Sequence, residues 1–146
     1  MITEAKETYY VAGPMTGYPQ FNFPAFDEVA AALRADGYKI VSPAELDDPE
    51  TRKAALASPD GAPGSGTANN ETWGDFLSRD VKLVADLIDG IVVIDGWNKS
   101  RGVRLETFVA FLCGKPIRHY PSMRKVRKPD LVRAWLGGWW EDVVVR

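Results

Sequence analysis

The sequence predicts an α/β fold: a parallel sheet with helices on both faces. Two observations carry this. Short apolar runs alternate with stretches of helical periodicity along the whole chain. Alternating β and α units pack as a parallel sheet, because each crossover helix must cover a sheet face. One run, Ile91-Val92-Val93-Ile94, is apolar at every position, the pattern of a strand buried on both faces.

Thr8–Ala12 (TYYVA) reads as the first strand. Residues 13–23 (GPMTGYPQFNF) carry two Gly and two Pro, which marks a loop. Residues 24–36 predict a helix with Phe26, Val29, Ala30 and Leu33 on one face and Gly37 as its stop. Residues 38–41 form a second strand. Residues 42–71 read as a long polar connection, with a mobile insert near 47–71 that includes SPDGAPGSGTANN; loops of that length are functional or disordered. Residues 72–87 predict a second long helix with Trp73, Phe76, Leu77, Val81 and Val84 inward. After the strand that opens at Gly90, a helix from Ser100 is expected to place Leu105, Phe108, Val109 and Leu112 on one face. A strand follows over 116–120, and the Trp-rich tail WLGGWWEDVVVR reads as a short helix and then a strand. The expectation is a Rossmann/flavodoxin-like parallel sheet of about five strands with helices on both faces. It forms one domain over residues 1–146, with a basic, Trp-rich segment at 121–146.

Composition narrows the function. At 146 residues, with 45% hydrophobic and 26% charged residues, the chain is an ordinary globular domain with room for a full core. One cysteine, Cys113, permits no intrachain disulfide and fits a reducing cytoplasm. It is expected in the core. One histidine, His119, argues against a His-rich metal site, so no metal is expected. No apolar run reaches membrane-spanning length, and the polar opening MITEAKET does not read as a secretory leader. The net charge of −2 divides into −6 before Arg118 and +4 from Arg118 onward. The cluster Arg124, Lys125, Arg127 and Lys128 is too short, in too acidic a chain, to predict specific nucleic-acid binding. Neither GxxxxGK[ST] nor GxGxxG is present, and no GxSxG accompanies the lone His.

Residues 90–106 (GIVVIDGWNKSRGVRLE) carry the strongest functional signal. A buried strand ends in Asp95 and Gly96, a short loop follows, and a helix opens. Ligands of open parallel sheets bind at such junctions. Glu106 lies one turn too deep to serve the capping box of a helix capped by Ser100, since that position is Val103. Its neighbours on the helix surface are Val103, Ala110 and Cys113. That environment predicts a partly buried carboxylate, and such burial needs a reason. A solvated acid complementing the helix dipole is the plain alternative.

The segments Tyr10-Val11-Ala12-Gly13-Pro14 and Ser100-Arg101-Gly102-Val103-Arg104-Leu105-Glu106 resemble the nucleoside 2-deoxyribosyltransferase superfamily. The likeness extends to the AGPMTG loop, the helix start at Trp73 to Asp80 and the GWxxSRGxxxE pattern, and it spans roughly residues 9–120. It is nearest to the small phage and bacterial members and to the nucleoside 5′-monophosphate N-glycosidases. The resemblance implies that Glu106 is the nucleophile at the anomeric carbon. It further implies that Tyr10 holds that glutamate and that Asp80 protonates or orients the leaving base. Gly13, Met15 and Thr16 become pocket wall. Asp95 either lines the pocket or caps a turn, and Trp97 either covers the sugar or base or anchors the loop in the core. At position 100 the transferases acting on free nucleosides carry Asp, whereas the monophosphate glycosidases carry Ser. Ser100, Arg101 and Gly102, at a helix N-terminus, suit an anion, so a 5′-monophosphate is the expected substrate. The first loop lacks the family's arginine. Phosphate recognition must then rest on Ser100, Arg101 or a residue of a neighbouring subunit. The resemblance implies a homo-oligomer and calls for no cofactor.

Three function classes follow from this reading. The first is an N-glycosidase or deoxyribosyltransferase acting on a nucleotide or nucleoside. The second is a non-catalytic nucleotide-binding module of the same fold. The third is an interaction protein that uses the basic tail.

Overall fold

The computed structural model describes residues 7–63 and 71–144, excluding the side chains of 138–144. The expected segment 64–70 of the insert therefore lies outside the described residues. The strands are β1 (Thr8–Ala12), β2 (Lys39–Val41), β3 (Gly90–Val93), β4 (Ile117–His119) and β5 (Arg124–Lys125). They form one sheet in the order β2-β1-β3-β4-β5. The first four are parallel, and β5 pairs antiparallel with β4. The helices are α1 (Phe23–Ala35), α2 (Pro43–Leu46), α3 (Pro49–Ala57), α4 (Trp73–Asp86), α5 (Arg101–Leu112) and α6 (Lys128–Val144). This is the expected α/β architecture, a mostly parallel five-stranded sheet in the flavodoxin-like order.

Alternation along β1 divides the core. Tyr9 and Val11 face α1 and α3, where they meet Phe26, Leu33 and Ala55. Tyr10 and Ala12 face the other way, toward Val84 of α4, Val103 and Ala110 of α5, and Leu131 of α6. Side chains alternate because the strand period is two. Strand β3 obeys the same rule, with Val92 on the first side and Ile91 and Val93 on the second. All four of its residues are buried. Gly90 is obligatory at its start, because a Cβ there would run into the Tyr9 ring and come within 2.9 Å of the Pro116 carbonyl oxygen.

Helix ends follow local chemistry. Helix α1 carries Pro24 in its first turn, where a missing N–H costs nothing. It stops at Gly37, whose φ of 93° suits glycine. Helix α4 opens on a capping box: Thr72 N donates to Asp75 Oδ2 at 2.8 Å and Asp75 N to Thr72 Oγ1 at 3.1 Å. Helix α5 opens on Ser100, whose Oγ accepts from Val103 N at 3.4 Å.

Several expectations need correction. Residues 42–63 are not an unstructured connection but hold α2 and α3. Asp48 caps α3 by accepting from Glu50 N and Thr51 N, with Pro49 in the first turn. The tail is one helix through Val144, and the fifth strand is Arg124–Lys125 instead. Leu105, Phe108 and Leu112 point outward, while Val103, Glu106, Thr107 and Ala110 form the buried face of α5. Thr107 is satisfied there by donating to Val103 O at 2.8 Å and accepting from Trp135 Nε1 at 3.0 Å. Cys113 is exposed at the helix end. Trp73 is exposed, and only Val84 of the expected inward face of α4 is fully buried. Among the described residues no helix is long and apolar enough to cross a membrane.

Candidate functional site

The sheet order reverses between β1 and β3, and the chain leaves both strands at the same edge of the sheet. The two exits, residues 13–22 and 94–100, diverge there and open a crevice, as expected at a topological switch point. A cavity of about 670 Å³ lies in it, within the range of small-molecule sites. Gly13, Met15 and Thr16 form one wall. Ser100, Arg101 and Gly102 form another at the start of α5. Glu106 and Asp80 supply carboxylates to its lining.

Glu106 is 6% exposed, and its Oε2 has no hydrogen-bond partner. Burial pushes its pKa up to about 8, opposed by hydrogen bonding with Tyr10, raised further by the Asp80 charge and opposed by Arg79. Glu106 thus holds a proton at neutral pH. Tyr10 lies behind it, fully buried, and its hydroxyl is driven well above the ordinary tyrosine value by burial and then by the charges of Glu106 and Asp80. It remains a neutral hydrogen-bond donor. Asp80 is also raised, chiefly by burial, while Arg79 and the Tyr10 hydroxyl draw it back toward the charged form. Arg79 Nε reaches Asp80 Oδ1 at 2.9 Å, and its Nη1 reaches Asp47 Oδ1 at 2.7 Å. The three expected catalytic residues therefore come together from β1, α4 and α5. The result is a pair of interacting carboxylates with one tyrosine donor.

The substrate-binding expectations divide. Gly13 lines the cavity, but its missing Cβ serves packing, since a Cβ there would collide with the Ile94 side chain. Gly102 is the position where the backbone leaves room beside Glu106, a Cβ there standing 3.8 Å from Glu106 Oε1. Asp95 and Trp97 fall to the plainer of their two readings, outside the cavity lining. Asp95 is fully exposed and lies 3.6 Å from His119 Nε2, outside the cavity. Trp97 is a core residue packed among Tyr10, Val103 and Leu131. The short 3-10 turn after Gly96 swings the indole inward behind the loop, away from the cavity.

Sequence reading missed other lining groups. Trp73 and Phe76 of α4 face the cavity instead of the core. The Arg101 guanidinium stacks over the Trp73 ring at 5.1 Å, a cation–π contact. Lys99 stands at the rim. Phe21 enters from a strained turn in which Gln20, Phe21 and Asn22 all have positive φ, 55°, 50° and 61°. Left-handed conformations cost non-glycine residues about 1 kcal/mol or more each. Asn22 Nδ2 donating to Pro14 O at 3.0 Å and Gln20 N to Ser58 O at 2.8 Å hold the turn in place. The Asn residue, tolerant of this region, was the only sequence signal for it.

Among the described residues no group of three or more His, Cys, Asp or Glu side chains is placed to hold a metal ion. A search of curated proteins finds no match. Among solved structures the chain is similar to an ABC transporter solute-binding protein from Agrobacterium vitis with bound allitol. The two share 13% identity at a TM-score of 0.45, over 80% of this chain and 31% of that one. The chain spans under a third of that protein, and so distant a likeness carries no argument about ligand. A family model described as a domain of unknown function, DUF4406, matches residues 7–119, a span that contains Tyr10, Asp80 and Glu106; the chain belongs to that family.

Proposed function

We propose that the protein cleaves the N-glycosidic bond of a nucleoside 5′-monophosphate, ribo or deoxy, through a covalent ester on Glu106. The observation that carries this reading is the buried Glu106 carboxyl, unpartnered at Oε2 and set beside a second carboxylate, Asp80. An orphaned buried carboxyl is costly unless chemistry requires it. In the reaction, a Glu106 oxygen bonds to the anomeric carbon as the carbon–nitrogen bond breaks. The departing electron pair goes to the base nitrogen, which takes a proton from Asp80. Water then attacks the same carbon, releases the sugar phosphate and returns a proton to the carboxylate pair. Two carboxyls dividing these roles are the pattern of retaining glycosidases. The Ser100 hydroxyl, the free N–H groups opening α5 and the Arg101 and Lys99 cations favour a phosphate at the other end of the cavity. A homo-oligomer would cover the outward stripe of Leu105, Phe108 and Leu112. The single exposed thiol, Cys113, suits a reducing cytoplasm.

The test is incubation with ribo- and deoxyribonucleoside 5′-monophosphates and the matching nucleosides, following free base by chromatography. Base release from monophosphates, at least ten times faster than from nucleosides and absent in Glu106→Gln, is the expected result. A new nucleotide in tubes containing a second base would identify transfer to that base instead of water. The neutral Glu106 carboxyl at pH 7 also suits a module that binds nucleotide without cleaving it. Tight binding with no base release from any substrate would establish that second reading.

Proton inventory adds a pH signature. The active form holds one proton on the Asp80–Glu106 pair, since Glu106 must be ionised to attack and Asp80 protonated to donate. Such coupled groups titrate as a unit. The rate should therefore be bell-shaped in pH, with its alkaline limb near the value of about 8 at which Glu106 ionises in the free protein. A rate that keeps rising well above that pH would remove Asp80 as proton donor.

A further inference from the structure

A second cavity, of about 570 Å³, lies on the far side of the Trp97–Lys99 turn from the carboxylate pair. Six cations line it: Lys99, Arg104, Arg124, Lys125, Arg127 and Arg133. They come from separate parts of the fold. Lys99 closes the 3-10 turn, Arg104 projects from α5, Arg124 and Lys125 form β5, and Arg127 and Arg133 flank the first turns of α6. Asp130 is the one carboxylate in the lining among the described residues, and it is already shared by Arg133 at 3.2 Å and Arg127 at 3.8 Å. Arg104 is steered by the Ser100 carbonyl, which accepts from its Nε at 3.4 Å. Among the described residues no carboxylate pairs with Lys99, Arg104, Arg124 or Lys125.

A chain with net charge −2 has thus concentrated unneutralised cations around one hollow. Converging like charges repel one another, and an anion placed among them relieves that repulsion while gaining several charge-assisted hydrogen bonds. Guanidinium groups in particular match phosphate oxygens two at a time. The cations surround a concavity instead of running along a stripe, the footprint a nucleic-acid backbone requires. We propose that this cavity is a second ligand site that takes a small molecule bearing two or more consecutive phosphates. Because the site shares only Lys99 with the carboxylate cavity, the proposal stands whether or not Glu106 performs glycosidic chemistry.

Calorimetric titration of the full chain with inorganic tripolyphosphate tests it. Three proteins are compared: wild type, Arg124→Ala/Lys125→Ala and Arg101→Ala. The expected result is one tripolyphosphate per chain, bound at least tenfold more weakly by the double variant and with unchanged affinity by Arg101→Ala. Affinity should fall as salt is raised. Both altered positions of the double variant are exposed, so its fold is expected to survive, and circular dichroism checks this. Failure to saturate at millimolar tripolyphosphate, or equal binding by the double variant, would overturn the proposal. So would a loss confined to Arg101→Ala, which would place the anion in the other cavity. Orthophosphate binding as tightly as tripolyphosphate would contradict a polyphosphate site. A single-stranded oligonucleotide binding more tightly, and more so with length, would make the surface a nucleic-acid track instead.

Discussion

Replacing Glu106 with glutamine is expected to abolish base release and, at pH 9, to make the protein more stable. The folded chain keeps the Glu106 proton up to about pH 8, whereas the unfolded chain releases it near 4.5. Between those values the native state binds more protons than the unfolded state, so wild-type stability falls as pH rises. Above pH 8 the full cost of an ionised carboxylate in a buried site is present, on the order of 5 kcal/mol. Glutamine has nearly the same shape and no charge. The variant should match wild type only below about pH 4.5, where the carboxyl is protonated in both folded and unfolded chains, and exceed it increasingly from pH 5 toward pH 9. Urea unfolding at pH 5, 7 and 9 reads the difference directly. Parallel wild-type and variant curves across that range would mean that Glu106 is solvated and that its burial is not the source of its chemistry.

The same substitution separates activity from stability. Loss of a nucleophile leaves only positioning and electrostatic assistance, so base release should fall by about three orders of magnitude or more. A variant that is more stable and inactive marks a group retained for function at the expense of stability. A merely structural residue behaves in the opposite way, since its replacement destabilises.

Much of this arrangement was legible in the sequence, for identifiable reasons. β3 was recognisable because a strand buried on both faces has no polar position to confuse its reading. α1 was legible because its apolar stripe, its Pro24 and its Gly37 all agree. α5 was placed correctly but turned wrongly. Its sequence offers two apolar stripes, and hydrophobicity favoured Leu105, Phe108 and Leu112 over the stripe that carries Glu106 and Thr107. The buried stripe holds a carboxyl that lines the cavity and a hydroxyl that accepts from Trp135, which periodicity cannot express. The α3 signal, Asp48-Pro49 with Glu50, is masked by the polar composition around it. In α4, Trp73 and Phe76 read as core because an apolar wall of a ligand cavity has the same helical spacing as a core stripe. Long-range polar contacts were out of reach: nothing local links Asp47 to Arg79, 32 positions apart.

That link supports the second large effect. Arg79→Ala is expected to destabilise the protein by about 2 kcal/mol at pH 7, less than a fully buried pair because the guanidinium retains partial contact with water. Arg79 bridges Asp47, whose side chain is 8% exposed, and Asp80, whose side chain is 14% exposed. Removing the cation leaves two sequestered carboxylates with no counter-charge. Asp80, already raised by burial, should rise further, since Arg79 is the strongest influence drawing it down. The destabilisation should accordingly shrink as pH is lowered, because Asp80, raised by burial, takes up a proton and no longer needs the cation. Arg79→Lys should recover only part of the loss, because one ammonium cannot meet both carboxylates with the fork that Arg79 uses. In the enzymatic assay the acid limb of the pH profile should move to higher pH in Arg79→Ala, with the alkaline limb moving the same way, because Arg79 also lowers Glu106. A stability loss that is the same at pH 5 and pH 8 would make Arg79 a packing residue. Unmoved limbs would detach it from the carboxylate pair. Displacement of both limbs together would identify Arg79 as the residue that sets where the pair holds its single proton.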